Sequence, residues 1–218
     1  MISVIIPLSA IEESHISLVE ELLAHIYIIA EIILVVPSKE KLAVEKKRFS
    51  EQVQVLLSPP GRHHQLNAGA ERAQSKFLWF LHADSKGQKG LVEKLKKSLL
   101  KYPDKLHFFP LRFQDDGPKL MLLNTLGVKL RSEVLELPFG DQGFCLQKKH
   151  FHFCGEFNEH PLGEDHHFVW KIKKYGFALN KVDACLYTSA RNYRINGWAK
   201  TTFKHMRMTT QMAISQLF

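Results

Sequence analysis

The chain has 218 residues, 45% of them hydrophobic and 24% charged, which is the make-up of a soluble globular protein long enough to bury a core without staples. Its net charge of +8 and pI near 9.3 favour anionic partners, without choosing among nucleotide phosphates, nucleic acid and anionic lipid. Cys145, Cys154 and Cys185 are an odd set with no Cys-x-x-Cys spacing, which argues against a disulfide scaffold and a cysteine zinc site and for reduced thiols.

No apolar run reaches membrane-spanning length. Met1–Pro7 lacks a basic leader region and a small-residue cleavage site, so it reads as a first strand rather than a signal peptide. Ile2–Ile6 is β-branched and is stopped by Pro7. Glu12–Ile26 predicts a helix with Ile16, Val19, Leu22, Leu23 and Ile26 inward. Glu31–Val36 is a second buried strand, Lys39–Phe49 a charged helix and Val53–Leu57 a third strand ended by Ser58-Pro59-Pro60. Gly61 opens a helix to about Ala73, with Leu66, Ala70 and Ala73 inward. Phe77–Leu81 is a fourth strand, and Gly90–Lys101 an amphipathic helix with a solvated basic face. This alternation predicts an α/β domain with an open, mostly parallel sheet flanked by helices, and ligands beyond the carboxyl ends of its strands.

The second half is less regular. Leu106–Phe113 reads as one strand, Lys119–Leu135 as a helix, Gln142–Leu146 as a strand, Glu164–Tyr175 as a helix ended by Gly176, and Ala184–Tyr187 as a last strand. From Trp198 to Leu217 the tail predicts an amphipathic helix, with Trp198, Phe203, Met206 and Ile214 on its apolar side. Without a repeat or a linker, one domain over 1–218 is the simplest account, with a first half to about 113, a second over about 114–197 and the terminal helix after it.

Five segments offer chemistry. Gly61-Arg62-His63-His64-Gln65-Leu66-Asn67-Ala68-Gly69 begins a helix, whose first turn suits phosphate, and Arg62 adds a cation; a plain Pro-Gly turn with a solvated Arg62 is the equal alternative. His82-Ala83-Asp84 follows a strand, where an acid can hold Mg²⁺ or Mn²⁺ with a ligand's diphosphate completing the shell. Strand alternation would point His82 and Asp84 to one side; an Asp capping the next turn is the plain reading. Gly163-Glu164-Asp165 starts a helix, where acids are stabilised in any case, and one of the two could act as a general base. Gly140-Asp141-Gln142-Gly143 suits a backbone-lined pocket or a simple turn. Thr188-Ser189-Ala190-Arg191 offers Arg191 to a phosphate or to solvent.

In this order the segments resemble the family 2 inverting glycosyltransferases of the GT-A fold, closest to a bacterial subgroup with Gly-Arg…Gln-x-Asn-x-Gly, Phe-Leu-His-Ala-Asp, Gly-Asp-Gln-Gly, Pro-Leu-x-Glu-Asp and Thr-Ser-x-Arg segments. The likeness runs from Ile2 to about Tyr193. It implies transfer from a nucleotide-diphosphate sugar to a hydroxyl acceptor, with Mn²⁺ or Mg²⁺ at Asp84. It also implies a base at Asp165 beside Glu164. Glu12, Arg62, Gln65, Asn67 and His82 would lie near the donor nucleotide, and Asp141, Gln142 and Arg191 near the acceptor or diphosphate. One departure stands out: relatives place an Asp-Gly-Ser-type turn after the second strand, where this chain has Val36-Pro37-Ser38-Lys39.

Three competing readings follow from the same residues. His82, Asp84, Asp165, His166 and His167 would make the metal centre of a phosphoester or nucleotide hydrolase if they meet in space. The basic balance and the tail residues Lys200, Lys204 and Arg207 suit a module for nucleic acid or anionic membrane; no recognised nucleic-acid motif supports the former. The missing Asp after Val36 suits a catalytically degenerate transferase fold. The expected location is the cytoplasm, either free or in peripheral contact with the inner membrane face.

Overall fold

The computed structural model describes residues 1–10, 13–49, 53–160 and 163–214. The first half runs β1 (Ile2–Pro7), α1 (His15–Leu23), β2 (Ile29–Val36), α2 (Lys39–Arg48), β3 (Val53–Leu57), α3 (Arg62–Arg72) and β4 (Phe77–Phe80). After it come β5 (Lys86–Gly87), α4 (Leu91–Lys101), β6 (Leu106–Phe108), β7 (Leu111–Phe113) and α5 (Met121–Lys129), which continues into a π-helical turn over Leu130–Val134. The remainder is a 3₁₀ turn at Gly140–Gln142, β8 (Cys145–Gln147), α6 (Lys148–Phe153), α7 (Glu164–Lys174), β9 (Leu179–Lys181), β10 (Leu186–Thr188), α8 (Arg191–Asn196) and α9 (Trp198–Ile214).

Seven strands form the main sheet in the order β3-β2-β1-β4-β8-β6-β9. The pairs β3–β2, β2–β1, β1–β4 and β6–β9 are parallel; β8 is antiparallel to both β4 and β6. Parallel strands need covering on both faces, and β1 shows why its sequence is apolar without alternation. Val4 and Ile6 pack with Leu18, Val19 and Leu22 of α1 and Leu91, Leu95 and Leu99 of α4. Ile5 faces the other side, with Leu66 and Ala70 of α3 and Phe168, Val169 and Ile172 of α7. A smaller sheet, β5-β10-β7, lies apart from this one.

Several expectations are corrected. Leu106–Phe113 is two strands in two sheets, because Pro110 has no N–H for a ladder. The Gln142–Leu146 strand starts later, since Gly140–Gln142 coils into the 3₁₀ turn. On α1 the buried apolar face is Leu18, Val19 and Leu22, while Ile26 lies past the helix end and is exposed. On α9, Phe203 and Met206 are exposed and Thr201 is buried; the side chain of Ile214 lies outside the description. All three cysteines are unpaired.

The close seating of α3 on the sheet rests on Gly69. A Cβ there would meet Ile5 Cγ2 at 2.5 Å and Val35 Cγ2 at 3.2 Å. Gly69→Ala should therefore cost about 1–3 kcal/mol by overpacking, measured as a lower urea midpoint at unchanged slope. An unchanged midpoint would show that the helix can lift off the sheet without loss.

Candidate functional site

Two glycines with left-handed or otherwise Cβ-averse backbone lead into the helices that carry the site. Gly61, at φ 125°, precedes α3 and places Arg62 in its first turn; Gly163, at φ 108°, precedes α7 and places Glu164 and Asp165 in its first turn. A side chain at either φ would be strained. Arg62 Nε lies 3.1 Å from Glu164 Oε1, and its Nη2 donates to His82 Nε2. Asp165 Oδ2 accepts the Gly140 N–H at 2.6 Å, and Asp165 Oδ1 accepts the N–H of His166 at 2.9 Å. Gly140 must be bare, because a Cβ would sit 2.6 Å from Arg62 Nη2 and 3.0 Å from Asp165 Oδ2.

The expectation that His82 and Asp84 share a side fails. β4 ends at Phe80, and Ser85 N–H donates to His82 O at 3.1 Å, so the chain turns instead of extending. His82 faces Arg62 and Asp165 in a pocket of about 10 Å³, room for about one water. Asp84 accepts from Thr188 Oγ1 at 3.3 Å and lines a cavity of about 360 Å³ with Lys86, Asp116, Arg191 and Ser17.

Asp141 stands electrostatically between these two groups, feeling Arg131, Asp165, Arg62 and Asp84. Burial, with the neighbouring Asp165 and Asp84 charges, pushes its carboxyl up to about 6 despite Arg131 and Arg62, and its Oδ1 is buried without a hydrogen-bond partner. Burial would also raise Asp165, but Arg62, the Gly140 N–H and His166 outweigh it and hold the carboxyl below its ordinary value. Burial and then Arg62 drive His82 well below the usual range, so its ring is neutral. Burial brings Arg131 down to about 10 and His166 down to about 4.

The other expected site residues divide. Gln65 Nε2 donates to Leu8 O at 2.9 Å and Val35 O at 2.7 Å. Asn67 bonds both ways to the Phe157 backbone, at 2.7 and 3.1 Å. Gln142 Oε1 accepts from Arg131 Nη2 and Phe139 N–H, while its Nε2 donates to Phe109 O at 3.0 Å. All three amides bond to backbone groups. Glu12 lies outside the described residues. Arg191 is exposed at the rim of the Asp84 cavity. Glu164 pairs with Arg62, and Asp165 feels the same cation electrostatically; one acid was expected to face the site and the other to contact the acceptor or a neighbouring residue.

Arg131 was not anticipated. It lies in the π-helical turn after α5, its guanidinium 3.0 Å from the Phe139 ring centre. The available signal was weak: Arg131 is one of two basic residues in an otherwise apolar helical stretch, Leu126-Gly127-Val128-Lys129-Leu130-Arg131. Asp116 was missed as well: it accepts from Ser189 Oγ at 2.5 Å and from Ala190 N–H at 2.7 Å, fixing the turn before Arg191.

The hydrolase constellation is not assembled. Among the described residues no three His, Cys, Asp or Glu side chains converge as a metal cage; His166 is buried against Phe139 and His167 stacks on His160. Asp84 lies on the larger cavity, and Asp141 Oδ1 is buried without a hydrogen-bond partner; carboxylates of this kind are what Mg²⁺-like ions take, with phosphates and water as the remaining ligands.

Two outcomes are expected. Asn67→Ala should lower stability by about 1–3 kcal/mol, because it strands the Phe157 backbone groups, while any nucleotide affinity stays as in the parent. Asp141 carries the opposite sign from a salt-bridged acid. Its folded value of about 6 lies above the ordinary 3.8, so its contribution is full below about pH 4 and lost as pH rises through 6. Asp141→Asn should accordingly raise Tm at about pH 7.5 and change it little near pH 4, followed by thermal unfolding scans; equal effects at both would place the acid in a solvated setting.

No protein-family model matches the chain, and no curated protein matches it in sequence. In fold it is similar to a crystal structure of GalNAc-T7 with UDP, GalNAc and Mn²⁺, at a TM-score of 0.65 and 16% identity. The match covers 87% of this chain and 44% of that one, so the chain spans less than half the length of the protein it resembles. The mostly parallel sheet flanked by helices is the GT-A fold.

Proposed function

We propose that the chain transfers a sugar from a nucleotide-diphosphate donor to a hydroxyl acceptor, by a metal-assisted displacement that inverts the anomeric carbon. The observation that supports this reading is a GT-A sheet with Asp84 in the turn after β4, on the larger cavity, and Asp165 at the start of α7, on the narrow pocket beside His82. The UDP, GalNAc and Mn²⁺ in the GalNAc-T7 structure support a nucleotide-sugar donor and a divalent ion.

Asp84 and Asp141 would hold the ion, which when bound neutralises charge on the departing diphosphate. The cavity beside Asp84 has room for a donor, and Arg191 at its rim offers a further cation to phosphate. Asp165 is the base. Its depressed carboxyl is ionised at neutral pH, and the Gly140 N–H and the His166 N–H fix its orientation. It takes the acceptor proton as the oxygen attacks the anomeric carbon from the side opposite the leaving diphosphate. Arg62, paired with Glu164, fills the narrow pocket beside Asp165, and it would move aside or bind the diphosphate when the donor enters.

A thermal-shift screen of nucleoside diphosphates and sugar nucleotides, with and without Mn²⁺, tests the class. Metal-dependent stabilisation by one base supports the reading; no stabilisation by any of them sinks it. Asp84→Ala should abolish that metal dependence. Asp165→Asn should cut turnover by roughly 100-fold or more with donor affinity preserved, and a fully active Asp165→Asn enzyme would move the base elsewhere.

A further inference from the structure

The face formed by α5, its π-helical continuation and α9 is unlike the rest of the surface. Leu122, Leu126, Leu130 and Val134 recur every four residues along one helical stripe and are 68%, 56%, 58% and 67% exposed. Leu120, Leu123 and Leu135 beside the stripe are exposed too, as are Ile195, Phe203 and Met206 on α8 and α9. Single exposed leucines are ordinary, but a contiguous patch of this kind marks a contact surface. The α5 and α9 helices are joined at this face: Trp198 Nε1 donates to Asn124 Oδ1 at 2.6 Å, and Asn124 Nδ2 donates to Thr202 Oγ1 at 3.1 Å.

On the α8–α9 side of the patch the charge has one sign, while Glu133 and Glu136 beside the stripe pair with Lys181 and Lys173. From 191 to 214 the chain carries Arg191, Arg194, Lys200, Lys204 and Arg207 and no acidic residue, and all five cations are exposed. Exposed apolar side chains interleaved with cations are the arrangement by which a helix lies in the interfacial layer of an anionic bilayer. No helix among the described residues is long and apolar enough to cross one.

We propose that the α5–α9 face seats the protein on an anionic lipid bilayer, with the α5 leucine stripe in the headgroup boundary and the α8–α9 cations on lipid phosphates. Between the two helices runs a groove of about 460 Å³ lined by Leu123, Val128, Arg131, Tyr193, Trp198 and Met206. One end of the groove is Arg131, whose Nη2 donates to Oε1 of Gln142, the residue after Asp141, at 3.2 Å, so the groove ends beside the candidate site. If the transferase reading holds, on which this consequence rests, the acceptor hydroxyl is carried by a membrane-borne molecule whose apolar portion enters the groove.

Flotation of the full chain with vesicles of phosphatidylcholine, and of phosphatidylcholine with phosphatidylglycerol, tests the docking without any nucleotide, so it can fail or succeed independently of the transferase assignment. The protein should float with the anionic vesicles. Leu122→Asp/Leu126→Asp should weaken that partition on the order of tenfold or more at an unchanged Tm, whereas Leu100→Asp, an equally exposed leucine on α4, should leave it intact. Absence of binding overturns the proposal. So does binding that survives the double substitution and vanishes only with salt, which is plain adsorption of a basic protein. Self-association abolished by the same double substitution, with no vesicle binding, would assign the face to a second copy instead.

Discussion

A guanidinium in a half-dry pocket organises the centre of this molecule. Arg62, at the start of α3, meets His82 from the turn after β4 and Glu164 from the start of α7, and acts electrostatically on Asp165 beside Glu164. Charges drawn this far out of water are tolerated only when they answer one another. The same desolvation that neutralises His82 leaves Asp165 charged, because the cation and two backbone N–H groups favour its ionised form more than burial disfavours it. One environment thus sorts neighbouring titratable groups into a neutral acceptor and a ready anion, and the sorting depends on the absent side chain at Gly140.

Asp141 shows the reverse balance. It lacks a backbone N–H or a paired cation close enough to outweigh burial, and Asp165 and Asp84 add repulsion. A carboxylate so placed stores unfavourable charge that a divalent ion or a proton would relieve.

The first half of the fold was legible because its signals are local. Ile2–Ile6, Val53–Leu57 and the Leu91-Leu95-Leu99 stripe each declare their period and burial over a few residues, and Pro7, Pro37 and Pro59 close the strands. The second half was read less well where two elements share a short apolar run. Leu106–Phe113 has a strand's composition throughout, and only Pro110 hints that its ends belong to different sheets. Within the site, the charged members Arg62, Asp84, Asp141, Glu164 and Asp165 could be picked out because charge beside a strand or helix end is uncommon. The amides were less legible. Gln65, Asn67 and Gln142 stand in motif positions, and each amide donates to a backbone carbonyl distant in sequence. Sequence cannot distinguish an amide that holds a loop from one that holds a ligand, since both need the same group at the same place. Arg131 escaped notice because its partner, Phe139, is reached only through an irregular helical turn.

The insertion of β8 between β4 and β6 has a consequence for how the chain can be divided. Residues 145–147 pair with 77–79 on one side and with His107 on the other, so the central layer is woven from both ends of the sequence. A fragment cut near residue 113 would keep β1 to β4 but leave the β4 flank as a bare row of amide and carbonyl groups, open to stray pairing with other chains. It would also strand β6, which joins the remaining strands only through β8 and β9. Nascent chains meet the same hazard during synthesis: the layer can close only once the ribosome has delivered residue 147, and until then the unprotected flank invites aggregation.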